Sequence, residues 1–578
     1  MNDRPSRRDF IGLTAAVTGI FGSSWIGRTV AATAGAGIGN ADLVVTNARV
    51  YTVDSHMPRA EAFAVEGGRF IAVGTNDQIK GLVGKNTRTI DTKQMSVVPG
   101  FIDCHNHARG EWLLYEVLVG NPFEVEFVTI ASIIDKLRAK ARQTPPGTWV
   151  EGYFYDDTKV RDKRDLNVRD LDQVSTEHPV LVRHRGGHTT YYNTKALAMA
   201  GVTRDIENTA GGTYDRDDQG ELNGRVTDAA RSIFDAVGKR QTFTAAEIDR
   251  RARDGIAHIS KQFVRYGLTS VHHASAHQNG SNLAAIQDVR ARGELLHRVS
   301  YEATAPVLDS MIASGIQTGF GDEWIKFGAT YEHMVDRSFS ERTMALSQPY
   351  PGNRSGYKGN VMETQAELNA WVEKVHRAGI QVNCHANGEV AIDMVLTAVE
   401  RAQQLFPRAD ARPKITHCTL INDSLVKRIK ALDAIPALFT TYAYYNSDKF
   451  VFYGEDLMRR SMAYRSFLDA GVHVAAGSDF TPGPFAPLMG IQGMVTRKGW
   501  DGKIWGANQK ISVDEAIRVN TIHDAYASKE EAIKGSIMRG KLADFVLLSE
   551  DPHTIDPEKI KDIKIVRTVV GGMTVYKA

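Results

Sequence analysis

The sequence holds three cysteines in 578 residues: Cys104, Cys384 and Cys418. Three scattered thiols do not make a disulfide scaffold. Charge of one sign is also missing. The formal net charge is +2, with no long run of Lys or Arg, which argues against nucleic acid as the main partner. Past the N-terminus there is no apolar run long enough to cross a bilayer, so stable membrane insertion is not expected. What remains is an ordinary globular composition, 42% apolar and 24% charged. The length accommodates one large domain and a smaller one.

The first forty residues differ from the rest. "SRRDFIGLTAAVTGIFGSSWIG" joins Arg7 and Arg8 to an apolar stretch, and "TVAATAGAG" follows. A basic start, a short apolar core and small residues near a cut site mark an export signal. The Arg-Arg pair before Asp9, Phe10 and Ile11 points to the twin-arginine route and a periplasmic or otherwise exported product. A short membrane anchor is the other reading; the Gly and Ser breaks in the run speak against it.

Both ends of the remaining chain are β-rich. "DLVVTNARVYTVD" and "AEAFAVEGGRFIAVG" near the start match "GKLADFVLLSEDP" and "IKIVRTVVGGMTVYKA" at the end, and each half carries a Gly-Gly hairpin turn. The economical reading is one β-sandwich built from residues 41–98 and 535–578, with a large domain inserted at 99–534. That middle part alternates short apolar runs with amphipathic stretches such as "TQAELNAWVEKVHRAG", the pattern of a parallel sheet. Eight such runs suggest a (β/α)8 barrel, with active residues at the C-terminal ends of the strands. A doubly wound open sheet is the alternative. The piece from about 108 to 255 exceeds one strand–helix unit and reads as an insertion.

Polar residues gather where those strands end. "PGFIDCHNH" places His105 and His107 two apart, which on a strand puts both rings on one face. His385 ends "IQVNCH", His417 ends "KITH", Asp479 ends "VHVAAGSD" and Lys326 lies in "WIKFGA". Imidazoles and a carboxylate converging on a barrel mouth can hold a divalent ion. The donor set favours zinc and leaves iron, manganese, nickel and cobalt open. Each cysteine neighbours one of these histidines in sequence. If the rings face a site, the thiols face packing, as small buried apolar groups.

Together "PGFIDCHNH", "HANGEVAID", "ITHCTL", "AAGSD" and "GSIMRGKLADFVLL" resemble the amidohydrolase superfamily, in its amidohydrolase 3 branch, which includes N-substituted formamide deformylases. The resemblance runs from about residue 42 to the C-terminus. It implies a (β/α)8 barrel with a β-sandwich formed by both ends, and one or two divalent ions. It implies His105, His107, His385 and His417 as ligands, and Asp479 as both metal contact and general base. It implies that Lys326 takes up carbon dioxide and bridges two ions as a carbamate. The branch commonly has Asp-Gly soon after that lysine, and this chain instead reads "KFGATYEHMVDRS".

The chemistry implied is hydrolysis of a C–N bond in a non-peptide amide. A bound ion makes hydroxide available at neutral pH, and an acid–base residue moves the proton to the departing amine. His188, in "RGGHTTYYNTKAL", is a candidate donor to the carbonyl oxygen. Carbamates, cyclic imides and lactones stay open as substrates of the same site, as does an exported binding protein with a retired site. Phe154, Tyr155, Tyr442, Tyr444 and Tyr445 are candidates for contacts to an apolar or aryl-bearing small molecule. The turn-rich stretch 336–359 reads as a flap. A homodimer is open.

Overall fold

The computed structural model describes residues 41–108, 110–209, 211–274, 281–353 and 356–578. The export signal read over residues 1–40 lies outside them. No helix among the described residues is long and apolar enough to cross a membrane.

Eight parallel strands organise the middle of the chain. They are β1 (Phe101–Asn106), β2 (Leu268–Ala274), β3 (Arg298–Ala303), β4 (Ile325–Thr330), β5 (Asn383–Ala386), β6 (Lys414–His417), β7 (Ile435–Phe439) and β8 (Ala475–Gly477). Strands β1 to β4 pair in sequence order in one sheet, and β5 to β8 in another. Both seams carry hydrogen bonds. Thr330 N–H donates to the Gln381 carbonyl at 3.1 Å, and Asp479 N–H donates to the His105 carbonyl at 2.9 Å. The second seam is close enough to demand glycine, since a Cβ on Gly477 would lie 2.6 Å from that of His105.

Between the strands, helices start where side chains cap them. Thr364 and Glu367 form a capping box on Gln365–Arg377, and Asn422 caps Asp423–Ala431. The apolar faces of these helices join the main core with Val372, Val375, Leu425 and Ile429.

The two ends of the chain meet. Ser96–Pro99 pairs antiparallel with Phe545–Leu548, which makes one six-stranded sheet from N- and C-terminal pieces. A four-stranded sheet containing Leu43–Thr46 shares a cluster with it, in which Val45, Phe63 and Phe70 pack with Val97, Phe545 and Leu547. Both Gly-Gly turns have positive φ at each glycine, as a tight hairpin requires. Between β1 and β2, residues 117–227 build a separate six-stranded sheet with its own apolar clusters.

Candidate metal centre

Four imidazoles and two carboxylates meet at the C-terminal ends of the strands. His105 is the penultimate residue of β1, and His107 follows the strand on the same face. His385 lies in β5, His417 ends β6, and Asp479 follows β8. The sixth member is Glu332, two residues beyond β4. Its Oε2 lies 3.5 Å from His105 Nε2, 3.2 Å from His385 Nδ1 and 3.6 Å from His417 Nε2, while its Oε1 lies 3.6 Å from His107 Nε2. Asp479 Oδ1 faces His107 Nε2 at 3.0 Å and His105 Nε2 at 3.4 Å. Glu332 therefore stands between two histidine pairs.

Backbone geometry aims these groups. His417, Cys418 and Asp479 have φ of 74°, 40° and 51°, a left-handed conformation that costs energy for non-glycine residues. It accompanies the turn of the His417 and Asp479 side chains into the mouth, while Cys418 packs in the core. The buried carboxylate of Asp103 accepts from the backbone N–H of His105 and Ser478 and from the Asn106 amide, so one side chain ties β1 to β8 beneath the site.

The donor set fits a divalent ion. Both ring nitrogens of His105 are buried without a hydrogen-bond partner, and in the neutral ring one of them carries a lone pair that a metal ion would take. Nδ1 of His107 lies 3.3 Å from the Ala274 carbonyl, which leaves Nε2 as the ligating atom. His417 is held well below its ordinary value by burial and by the neighbouring His385 imidazole, so it stays neutral. Burial alone raises the Glu332 carboxyl, but the His105 and His385 rings hold it well below the usual range. Asp479 is likewise depressed against its burial, by His417, His105 and His107. Against their burial, Glu332 and Asp479 push His105 up to about 10 and Glu332 raises His385, so a metal ion binding there would displace protons from these two rings; neutral imidazoles and ionised carboxylates are the forms that bind metal.

Lys326 is not part of this cluster. It is the second residue of β4, so it and Glu332 stand at opposite ends of the strand axis, roughly 20 Å apart at 3.3 Å per residue. Its Nζ donates to the Ser528 carbonyl at 2.7 Å and pairs with Glu530 at 3.5 Å. Burial pulls the amine down to about 8, yet the centre it was expected to bridge is at the far end of the strand. Glu332 occupies the place expected of the carbamate.

A cavity of about 410 Å³ opens on the centre. Phe154 lines it, as does Tyr153 beside it, but Tyr155 does not: its hydroxyl accepts from Leu166 N–H inside the inserted sheet. Phe154 has a φ of 67° and sits in an irregularity of register, so strand alternation fails and two consecutive aromatics face one side. Tyr442 is also outside the cavity. It stacks on Phe439 at 3.7 Å, which stacks in turn on the His417 ring at 4.3 Å, so it supports a ligand without reaching substrate. Tyr444 packs away from the cavity near Lys561, and the Tyr445 hydroxyl accepts from Arg185. Residues Tyr442–Tyr445 form a short helix, which sends neighbouring tyrosines in different directions.

His188 does line the cavity, with Nδ1 3.0 Å from Asp228 Oδ1. The stretch 336–359 packs firmly where it is described. Asp336 accepts from the N–H groups of Ala345, Asn387 and Gly388, and Phe339 stacks on Tyr453 at 4.4 Å. The flap expected there is a packed wall that supplies Arg337 to the cavity. All three cysteines are buried and unpaired, with thiols pushed up by burial.

Sequence comparison matches the Amidohydrolase family over residues 88–576. The chain is 25% identical over 553 residues to an N-substituted formamide deformylase of Arthrobacter pascens, covering 93% of this chain and 98% of that one. It is 27% identical over 545 residues to a putative amidohydrolase, YtcJ, of Bacillus subtilis, covering 91% and 98%. An uncharacterised metal-dependent hydrolase of Pyrococcus horikoshii has the same fold, with a TM-score of 0.67 at 20% identity over 89% of this chain and 99% of its own. The chain belongs to the amidohydrolase family and is a metal-dependent amidohydrolase, a hydrolase of carbon–nitrogen bonds.

Proposed function

We propose that this enzyme hydrolyses the C–N bond of a non-peptide amide, in particular an N-substituted one with an aryl or other apolar group. The observation that carries this reading is the convergence of His105, His107, His385, His417, Glu332 and Asp479 on one point, under a cavity walled by Trp112, Tyr153, Phe154 and Met334. The formamide deformylase relative supports the substrate class. The ring order of the strands supports a (β/α)8 barrel, and the shared cluster of the terminal sheets supports a β-sandwich.

Two subsites share the Glu332 carboxylate: His105 and His107 on one side, His385 and His417 on the other, with Asp479 against the first pair. Two zinc ions suit this donor set. His105, His107, His385, His417, Glu332 and Asp479 would hold a divalent ion, which when bound would lower the pKa of water from about 15.7 to roughly 7 and polarise a carbonyl. Asp479 takes the water's proton and delivers it to the departing amine. His188, its Nδ1 bound to Asp228, presents Nε2 to the cavity and, when doubly protonated, donates to the carbonyl oxygen. Export by the twin-arginine route, read from Arg7 and Arg8, is part of the proposal, and the position of the N-terminal residue after secretion tests it.

The substrate reading is tested by metal-dependent turnover of a panel of N-substituted formamides, aryl amides, carbamates, cyclic imides and lactones. Amide turnover that disappears with chelation and returns with zinc supports it. Turnover of lactones alone overturns it.

A further inference from the structure

The cavity has two chemically different kinds of lining. Besides the aromatic residues, it is lined by Arg231, Arg337 and Arg183, the last of which lies 5.8 Å from the Tyr153 ring centre. Arg185 also borders the cavity, but its donors are spent on the carbonyls of Thr481 and Asn121 and on the Tyr445 hydroxyl. Arg231 and Arg337 are poorly neutralised, whereas, against its burial, Tyr153 and Glu151 hold Arg183 above its ordinary value. Arg231 donates only Nε to the Asp228 carbonyl, at 3.2 Å, and forms no ion pair among the described residues. Arg337 lies 3.7 Å from Asp228 Oδ1, and its buried Nε has no partner. That same oxygen already holds His188 at 3.0 Å. Arg183 reaches Glu151 at 3.4 Å, a carboxylate that Arg240 holds more tightly at 2.6 Å. Burial pulls the Arg231 guanidinium below its ordinary value, the mark of a desolvated cation short of a counter-charge. Guanidinium groups suit a bidentate anion.

We propose that the substrate carries an anionic group of carboxylate type, gripped by Arg231 and Arg337 with Arg183 at the rim, while its apolar part lies on Trp112, Tyr153 and Phe154. The inference rests on the amide reading above and narrows it to amides bearing both groups. The arginines set specificity by holding the anion to one side of the metal centre, which orients the scissile bond.

The test compares N-formylphenylalanine with N-(2-phenylethyl)formamide, which differ by one carboxylate, on the zinc-loaded enzyme. The acid is expected to have a kcat/KM at least about tenfold higher, and Arg231→Met or Arg337→Met is expected to bring the ratio toward one. A wild-type ratio at or below one, or variants that lower both substrates in proportion, overturns the proposal. Thermal melting checks folding, and Arg183→Met, at the half-exposed rim, supplies the same readout if the inner variants do not fold. If neither formamide is turned over, the amide reading is judged by the wider panel and the anion site is decided by calorimetry. There 3-phenylpropionate is expected to bind at least about tenfold more tightly than 3-phenylpropanamide, by an amount that shrinks in the variants. Equal affinities, or a preference that the variants leave intact, place the carboxylate on the ions alone and overturn the inference.

Discussion

Oε2 of Glu332 stands 3.2 Å from Nδ1 of His385. The same carboxylate faces His107 through its other oxygen, so one side chain spans both halves of the centre. Glu332→Gln keeps the shape and removes the charge. It is expected to lower bound zinc by at least one ion per chain and to reduce kcat by about a thousandfold or more. Elemental analysis after dialysis, with steady-state kinetics, checks this.

Lys326 supplies the contrast. Lys326→Met is expected to leave the zinc content and the pH–rate profile as in the wild type. It removes the more distant of two cations on the buried Glu530 carboxylate, Lys534 remaining at 2.5 Å, and is expected to cost about 1 kcal/mol in urea unfolding. Loss of zinc in this variant would contradict the placement of Lys326.

How much of this centre is legible in the sequence follows from strand geometry. His105 and His107 announce themselves by their i, i+2 spacing, and His385, His417 and Asp479 by ending apolar runs. Glu332 gives no such signal, because it lies past the strand in a loop and is one of many acidic residues. The available clue was parity: positions 326, 328, 330 and 332 alternate onto one face, and only the last reaches the end where chemistry gathers. The tyrosines misled for a related reason. A left-handed Phe154 breaks alternation in "EGYFYDD", and "TYAYYNS" is a short helix, so an aromatic run alone does not tell which of its rings face the cavity. The terminal pairing was readable because both ends carry the same alternating strands and Gly-Gly turns.

Asp479→Asn retains an oxygen donor and loses the proton acceptor. Its kcat is expected to fall by about two to four orders of magnitude, with smaller loss of zinc than in Glu332→Gln. A small rate change would remove Asp479 from the proton path.

Asp228→Asn loosens both His188 and Arg337. Its kcat/KM is expected to drop by about 10- to 100-fold, with zinc content unchanged and an altered pH–rate profile. An unaltered profile would assign Asp228 to packing alone.

His297 is buried, hydrogen-bonded to Ser260 Oγ at 2.8 Å, and lowered by burial from 6.5 to about 3. The unfolded chain therefore binds one more proton between those values. Stability is present above pH 6.5 and drains as pH falls toward 3, by about 1.4 kcal/mol per pH unit for this residue. In His297→Asn the gap in unfolding free energy between pH 7 and pH 5 is expected to narrow by about 2 kcal/mol, as read by urea melts.

The most direct measurement is equilibrium dialysis of demetallated protein against zinc, with bound metal counted in the wild type and in Glu332→Gln. Two tightly held ions in the wild type, with at least one lost in the variant, are predicted. A wild type that retains no zinc, or a variant that retains as much as the wild type, would contradict a shared carboxylate at the heart of the site.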